Sequence, residues 1–345
     1  MTAHPIRRKA IASANGLAAV ERAWQLMSSG ADPLRAAVEG VTLVEDDPND
    51  LTVGYGGLPN ENGIVELDAG VIHGPTRRSG AVAGLQRVRH AARLAQLVME
   101  QTDHSLLVGE GALQFARAMG FPEEDLLTDT ARKIWLYWKQ SLTEPADWLP
   151  PPIDQPDPAV RRFFRLDQPS EAGQPPSGYR RSEANDRPTG TIHCACMNDA
   201  GELSCATTTS GLAFKIPGRV GDSAVIGAGQ YVDPAAGSCG STGRGEANLR
   251  ICASFAAVNL MRGGASPVEA GLEILRRVVA TTTEPHLLGA DGRPNFGVKY
   301  YLLSARGEHA GVSLWGPSRF AVCDEDGPRL ESCVSLFDRE PRSPG

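Results

Sequence analysis

Between positions 142 and 188 the chain carries Pro145, Pro150, Pro151, Pro152, Pro156, Pro158, Pro169, Pro175 and Pro176, mixed with Asp, Glu, Ser and Gln. Proline fixes φ and has no N–H to donate, so this stretch continues neither a helix nor a central strand. It predicts a long connector, with one or two helical turns over 160–166. A connector of this length inside a compact domain signals function or disorder. It divides the 345 residues into two patterned parts. The 41% hydrophobic and 22% charged content is ordinary for a globular protein, and the length fits one large domain or two small ones.

Before the connector, apolar residues at Ala19, Val20, Ala23, Trp24 and Met27 predict a helix over 18–27. Ala37, Val38 and Val41 predict a second over 33–44. Residues 54–59, Gly-Tyr-Gly-Gly-Leu-Pro, form a turn-rich loop. Val65, Leu67 and Ala69 alternate with Glu66 and Asp68 as in a strand. A helix over 89–101, a short buried strand over 106–108 and a helix over 111–119 follow. After the connector, Ile192, Cys194 and Cys196 alternate, Asn198 to Gly201 signals a turn, and 203–209 reads as a second strand. A Gly-rich run (219–229), helices over 246–262 and 267–280, and a hairpin from 300–303 to 311–314 complete the pattern. This order favours layered sheets and helices over a parallel doubly wound sheet.

The net charge is −7 with no basic patch, which argues against nucleic acid as a partner. No run approaches the roughly 20 apolar residues of a membrane-spanning helix. Arg7, Arg8 and Lys9 are followed by only Ala10-Ile11-Ala12, too short for a secretory signal, so a cytoplasmic protein is expected. The seven cysteines show no zinc-site spacing and read as reduced, mostly buried thiols.

The turn at 198–201 sets a register. With Asp199-Ala200-Gly201 as a three-residue loop and Gly201 left-handed, Asn198 faces Glu202 and Thr191 faces Thr209. Paired side chains then lie about 4.5–5.5 Å apart at Cβ. A threonine hydroxyl needs a base to act as a nucleophile, and a free α-amino group on the same residue supplies one. That amine titrates at about 7.7–8.0. Thr191 has such an amine only if the chain is cut between Gly190 and Thr191. On these residues alone, paired threonines record no more than β-propensity.

Longer motifs carry more. Gly190-Thr191-Ile192, Ala206-Thr207-Thr208-Thr209-Ser210-Gly211, Phe214-Lys215-Ile216-Pro217-Gly218-Arg219-Val220-Gly221-Asp222-Ser223, Gly227-Ala228-Gly229-Gln230-Tyr231 and Ser241-Thr242-Gly243-Arg244-Gly245-Glu246 occur in that order. Upstream stand Gly54-Tyr55-Gly56-Gly57-Leu58-Pro59-Asn60, Val65-Glu66-Leu67-Asp68-Ala69, Gly80-Ala81-Val82-Ala83 and Leu106-Leu107-Val108-Gly109-Glu110-Gly111-Ala112. The chain resembles the glycosylasparaginase family, within the wider asparaginase and isoaspartyl-peptidase group, over nearly everything except the connector.

The resemblance implies an α+β fold, the four-layer αββα sandwich of N-terminal nucleophile hydrolases. It implies one domain that cuts itself into 1–190 and 191–345, with 142–188 the connector. Thr191 matches the nucleophile and Thr209 the threonine that supports it. Arg219 and Asp222 match the pair holding the α-carboxylate and α-amino groups of an asparagine moiety, and Thr242 and Gly243 match the oxyanion hole. The implied substrate is a small β-aspartyl amide, with N4-(β-N-acetylglucosaminyl)-L-asparagine preferred. No cofactor is needed, and a dimer of two-chain units is expected. The alternatives are an isoaspartyl peptidase or L-asparaginase, and an uncleaved relative that only binds.

Two departures stand out. Thr189-Gly190 replaces the His-Asp that commonly precedes the family's nucleophile, and Ser13-Ala14-Asn15 replaces its N-terminal Thr-Trp. Lys215 and Glu246 read as structural, His193 as a packed or sheet-surface histidine, and Trp135 with Trp138 as helix packing.

Overall fold

The computed structural model of the protein describes residues 7–142, 156–164, 166 and 190–338. In chain order the strands are β1 (Lys9–Ser13), β2 (Leu67–His73), β3 (Arg78–Leu85), β4 (Leu106–Val108), β5 (Ile192–Met197), β6 (Leu203–Thr209) and β7 (Gln230–Asp233). They continue with β8 (Gly237–Gly243), β9 (Val298–Ser304), β10 (His309–Gly316), β11 (Arg319–Asp324), β12 (Gly327–Ser332) and β13 (Val334–Asp338). The helices are α1 (Leu17–Ser28), α2 (Pro33–Glu45), α3 (Ala91–Gln101), α4 (Gly109–Ala118), α5 (Asp129–Ser141) and α6 (Pro158–Phe164). Beyond the connector come α7 (Gly245–Ile251), α8 (Ala253–Arg262) and α9 (Pro267–Thr281).

Two sheets stack. One has eight strands in the order β12-β11-β1-β5-β6-β2-β3-β4, the other five in the order β13-β10-β9-β8-β7. Three apolar layers separate four structural ones. Ala12, Ile192, Cys194, Cys196 and Ala206 pack against the apolar faces of α1 to α4. Ile11, Ala195, Met197, Cys205, Tyr301 and Leu303 lie between the sheets. Val298, Tyr300, Leu302 and Val312 pack against α8 and α9. The architecture is the expected four-layer αββα sandwich. Because β5 and β6 are covered on both faces, every residue in them is buried. Odd and even positions separate helix-facing from sheet-facing groups, not apolar from polar ones.

The helices at 18–27, 33–44 and 267–280 appear as α1, α2 and α9 within a residue or two of those bounds. Asp32 caps α2 by accepting from Leu34 N at 2.7 Å, and Ser266 with Glu269 forms a capping box on α9. Two expectations change. The strand at 106–108 is not buried: β4 is the sheet edge, with Leu106 46% and Val108 56% exposed. The single helix at 246–262 is two helices, broken at Cys252 with φ of 46°. The first amides of α8 go elsewhere, Ser254 N to Ala228 O and Phe255 N to Gly227 O, which turns the chain at Cys252. Pattern reading also leaves out β1, β3, β7, β8 and β11 to β13 as elements, and of α5 it gives only the helical spacing of Trp135 and Trp138. Of the expected connector, Pro158–Phe164 forms α6. Residues 143–155, 165 and 167–189 lie outside the described residues.

α5 positions a site loop. Ala131, Ile134 and Trp138 bury against Leu58, Ala213 and Phe214, with the Trp138 and Phe214 rings stacked 4.4 Å apart. This anchors the chain immediately before Lys215 and Arg219.

Candidate active site

The β5–β6 hairpin has the expected register: Ile192 faces Thr208 and Met197 faces Leu203. Gly201 adopts φ of 79°, and Asn198 N donates to Glu202 O at 3.1 Å. Asn198 Oδ1 accepts from Ala200 N and Glu202 N, both at 3.0 Å, and closes the turn. One step beyond the ladder, Thr191 and Thr209 come together at the end of the sheet. Thr191 Oγ1 and Thr209 Oγ1 each lie 2.8 Å from the Gly190 carbonyl oxygen. Thr209 Oγ1 in turn accepts from Gly211 N at 3.0 Å. Two hydroxyls thus converge on the carbonyl of the peptide bond that precedes Thr191.

That peptide is gripped from the other side by the loop after α2. A Cβ built on Gly190 would overlap Thr52 Oγ1 and Cβ, so only glycine fits here. Thr52 Oγ1 donates to Asp50 Oδ1, and Asn15 Nδ2 holds Asp50 Oδ2 at 2.8 Å. Ser13 Oγ lies 2.7 Å from Asn15 Oδ1 and 3.1 Å from Thr191 O. Ser13 and Asn15 belong to the segment that departs from the family's N-terminal Thr-Trp, whereas Asp50 and Thr52 escaped the sequence reading as working residues. The latter two come from the loop after α2, and no local pattern marks them.

The Arg219 guanidinium meets Glu246 Oε1 through Nε (3.0 Å) and Nη2 (2.8 Å). Its Nη1 points at Gly211 and Gly221, where built Cβ atoms would lie 3.3 and 3.0 Å away. Glu246, read from sequence as structural, therefore orients this fork. Asp222 Oδ2 accepts from Ser241 Oγ at 2.7 Å and Asn248 Nδ2 at 2.8 Å, while Oδ1 turns toward Gly245. Burial raises the Asp222 pKa above the ordinary carboxylate value. A fork and a carboxylate side by side can take the carboxylate and ammonium of an amino acid. Lys215 is buried, donates to Glu66 O at 3.0 Å and has its pKa lowered by that burial.

Thr242 Oγ1 lies 2.8 Å from the Tyr301 hydroxyl. Gly243 adopts φ of 112°, and a Cβ there would overlap the Gly297 carbonyl. His193 packs between the sheets. Its Nδ1 is 2.8 Å from Thr207 Oγ1, its ring stacks on Tyr301, and burial lowers its pKa to about 3. It is a packed neutral imidazole. All seven cysteines are free, and five are buried.

Behind the site, Glu45 Oε1 accepts from Thr208 Oγ1 at 2.8 Å and Ala92 N at 3.0 Å. Burial pushes the Glu45 pKa up from 4.5 to about 7. Folding therefore favours the protonated acid. Its stability contribution is intact below pH 4.5 and is lost as pH rises through 7. We expect native stability relative to Glu45→Gln to fall by about 3 kcal/mol between pH 4.5 and 7.5. Urea unfolding at several pH values measures this, and parallel curves for the two proteins would remove Glu45 as the cause.

A layered αββα fold with a threonine pair at the end of a central hairpin defines the class of N-terminal nucleophile hydrolases. The asparaginase family model matches residues 5–290, and the chain belongs to that family of amidohydrolases. It is 35% identical over 317 residues to the N(4)-(β-N-acetylglucosaminyl)-L-asparaginase of Elizabethkingia miricola, covering 92% of this chain and 81% of the relative. It is 38% identical over 260 residues to the enzyme of the same name from Mus musculus, covering 75% and 74%. A probable isoaspartyl peptidase/L-asparaginase of Arabidopsis thaliana is 32% identical over 318 residues, covering 90% and 85%.

Proposed function

We propose that the chain cuts itself between Gly190 and Thr191 and then hydrolyses the β-amide of N4-(β-N-acetylglucosaminyl)-L-asparagine, with Thr191 as nucleophile. The observation that carries this reading is the convergence of the Thr191 and Thr209 hydroxyls on the Gly190 carbonyl. In the uncut chain, Thr191 Oγ1 attacks the Gly190 carbonyl carbon while the Thr209 hydroxyl steadies the oxygen as it becomes negative. The Gly190–Thr191 C–N bond then breaks to leave an ester, and water opens the ester. Thr191 emerges with a free amine beside its own hydroxyl. The division into 1–190 and 191–345 follows.

The cut vacates the space occupied by Gly190, and a β-aspartyl carbonyl takes its place. Arg219 receives the substrate α-carboxylate and Asp222 its α-ammonium. The Thr191 amine removes the hydroxyl proton, and the Thr242 hydroxyl and Gly243 N–H support the oxyanion. The protonated amine returns its proton to the leaving glycosylamine, and water releases aspartate from the ester. The relatives named for this reaction support the choice of substrate.

A second substrate, an isoaspartyl peptide or asparagine, is favoured by one observation. Asn15, not an aromatic residue, stands behind the cleavage point, holding Asp50 Oδ2 while Asp50 Oδ1 accepts from the Thr52 hydroxyl that packs on Gly190. Intact-mass measurement of the purified protein should give two chains, the second beginning at Thr191. Assay of those chains on glycosylated asparagine, asparagine and a β-aspartyl dipeptide selects the substrate. A single full-length mass together with no turnover of any of the three would overturn the reading.

A further inference from the structure

Resting on the self-cleavage reading above, we propose that Asp50, acting through the Thr52 hydroxyl, is the proton acceptor for the cut at Gly190–Thr191. Residue 190 itself has no side chain to serve. The geometry puts another carboxylate within reach of the same place. Thr52 Oγ1 fills the volume a Cβ on Gly190 would claim, so this hydroxyl lies against the residue whose carbonyl is attacked. Its proton goes to Asp50 Oδ1, which also accepts from Thr52 N at 3.0 Å. Asn15 holds the other oxygen, Asp50 Oδ2, and its own Oδ1 shares the single Ser13 hydroxyl proton with Thr191 O. A carboxylate fixed at both oxygens, with a single hydroxyl between it and the scissile residue, is arranged for proton relay. An ordinary turn-closing aspartate needs only the backbone contact.

The step balances. As the bond from Thr191 Oγ1 to the Gly190 carbonyl carbon forms, the Thr191 hydroxyl proton passes to Thr52 Oγ1. The Thr52 proton passes to Asp50 Oδ1. When the C–N bond breaks, Asp50 returns a proton along the same path to the departing Thr191 nitrogen. Water then adds to the ester, splitting it into the Gly190 carboxylate and the free Thr191 hydroxyl. Asp50 ends as it began.

The groove beside Asp50, lined also by Asn15, Leu43 and Asp47, opens the position to small solutes. Full-length chain made by cell-free translation, followed in time on denaturing gels, reads the cleavage rate directly. We expect Asp50→Asn to cleave about 100-fold more slowly than wild type, the usual worth of a positioned proton carrier. Asp50→Gly should be equally slow but accelerate in proportion to added formate, a carboxylate small enough for the vacated place. Thr52→Ser should stay near the wild-type rate. Thr52→Val should be slow and indifferent to formate, because its relay hydroxyl is gone. Formate rescue separates proton transfer from a merely structural role. Wild-type cleavage by Asp50→Asn overturns the proposal, as does a slow Asp50→Gly that formate leaves unchanged. If wild type itself stays whole, self-cleavage falls and the proposal with it. If wild type splits and Asp50→Asn matches it, only the proposal falls.

Discussion

Thr191→Ala is expected to give one full-length chain and to lower amide turnover by about 10⁴-fold or more. Both outcomes come from one atom. Thr191 Oγ1 is the hydroxyl placed against the Gly190 carbonyl, and in the proposed function the same oxygen attacks substrate once the chain is open. Alanine removes it with little change in fold, because the site is held by other contacts. Thr209 still reaches Gly190 O, Ser13 still reaches Thr191 O through the backbone, and the hairpin register is set by residues 192–208. Thr191→Ser keeps the hydroxyl and should split. Mass spectrometry and a coupled aspartate assay check both variants. Two chains from Thr191→Ala, with turnover intact, would move the nucleophile elsewhere.

Arg219→Ala should leave the split untouched and lower kcat/KM by about 10³-fold, as expected when one partner of a half-buried charge pair is removed. The guanidinium touches Glu246, Gly211 and Gly221, not the Gly190–Thr191 peptide, so processing does not depend on it. Two losses combine: the fork for a carboxylate disappears, and Glu246, already drawn into the site, is left facing the incoming carboxylate of the same sign. Arg219→Lys should recover little, since a point charge replaces a planar fork already aligned by Glu246. The decisive comparison uses a substrate amidated at its α-carboxyl. Wild type should turn it over poorly, and Arg219→Ala should add almost no further loss. An equal loss on both substrates would mean that Arg219 only supports the fold.

The two predictions separate events the sequence joins. As proposed, Thr191 serves both the cut and the later hydrolysis, Arg219 only the second, and Asp50 only the first. Purified variants therefore fall into three classes by mass and by turnover, which makes the assignment testable without any further structure.

Much of this was legible from residues in order. The Asn198–Gly201 turn placed Thr191 opposite Thr209 because a short hairpin loop specifies register, and one slipped residue would turn both faces over. Amphipathic spacing located α1, α3 and α9 because each buries one face, and it located α2 although that helix is buried almost all round. The same logic failed for β1 and for the end of the chain. β1 runs between β11 and β5, covered on both faces, and offers only a short apolar run. β12 and β13 are sheet-edge strands with mixed polarity and carry little periodic signal. The 246–262 run read as one helix because its composition is uniformly helical; carbonyls from the 227–228 loop break it at Cys252.

Register, helix faces and the order of the motifs were properties of the chain alone, since each depends on neighbours within a few residues or on one tight turn. The grip on Gly190 by Thr52, the Asp50–Asn15–Ser13 chain behind it, and the fork of Arg219 set by Glu246 were decided only in three dimensions. They join residues up to 178 positions apart, as Ser13 and Thr191 are. Hydrogen bonds of that kind depend on distance in space, and spacing along a sequence carries no record of it until the sheets are stacked.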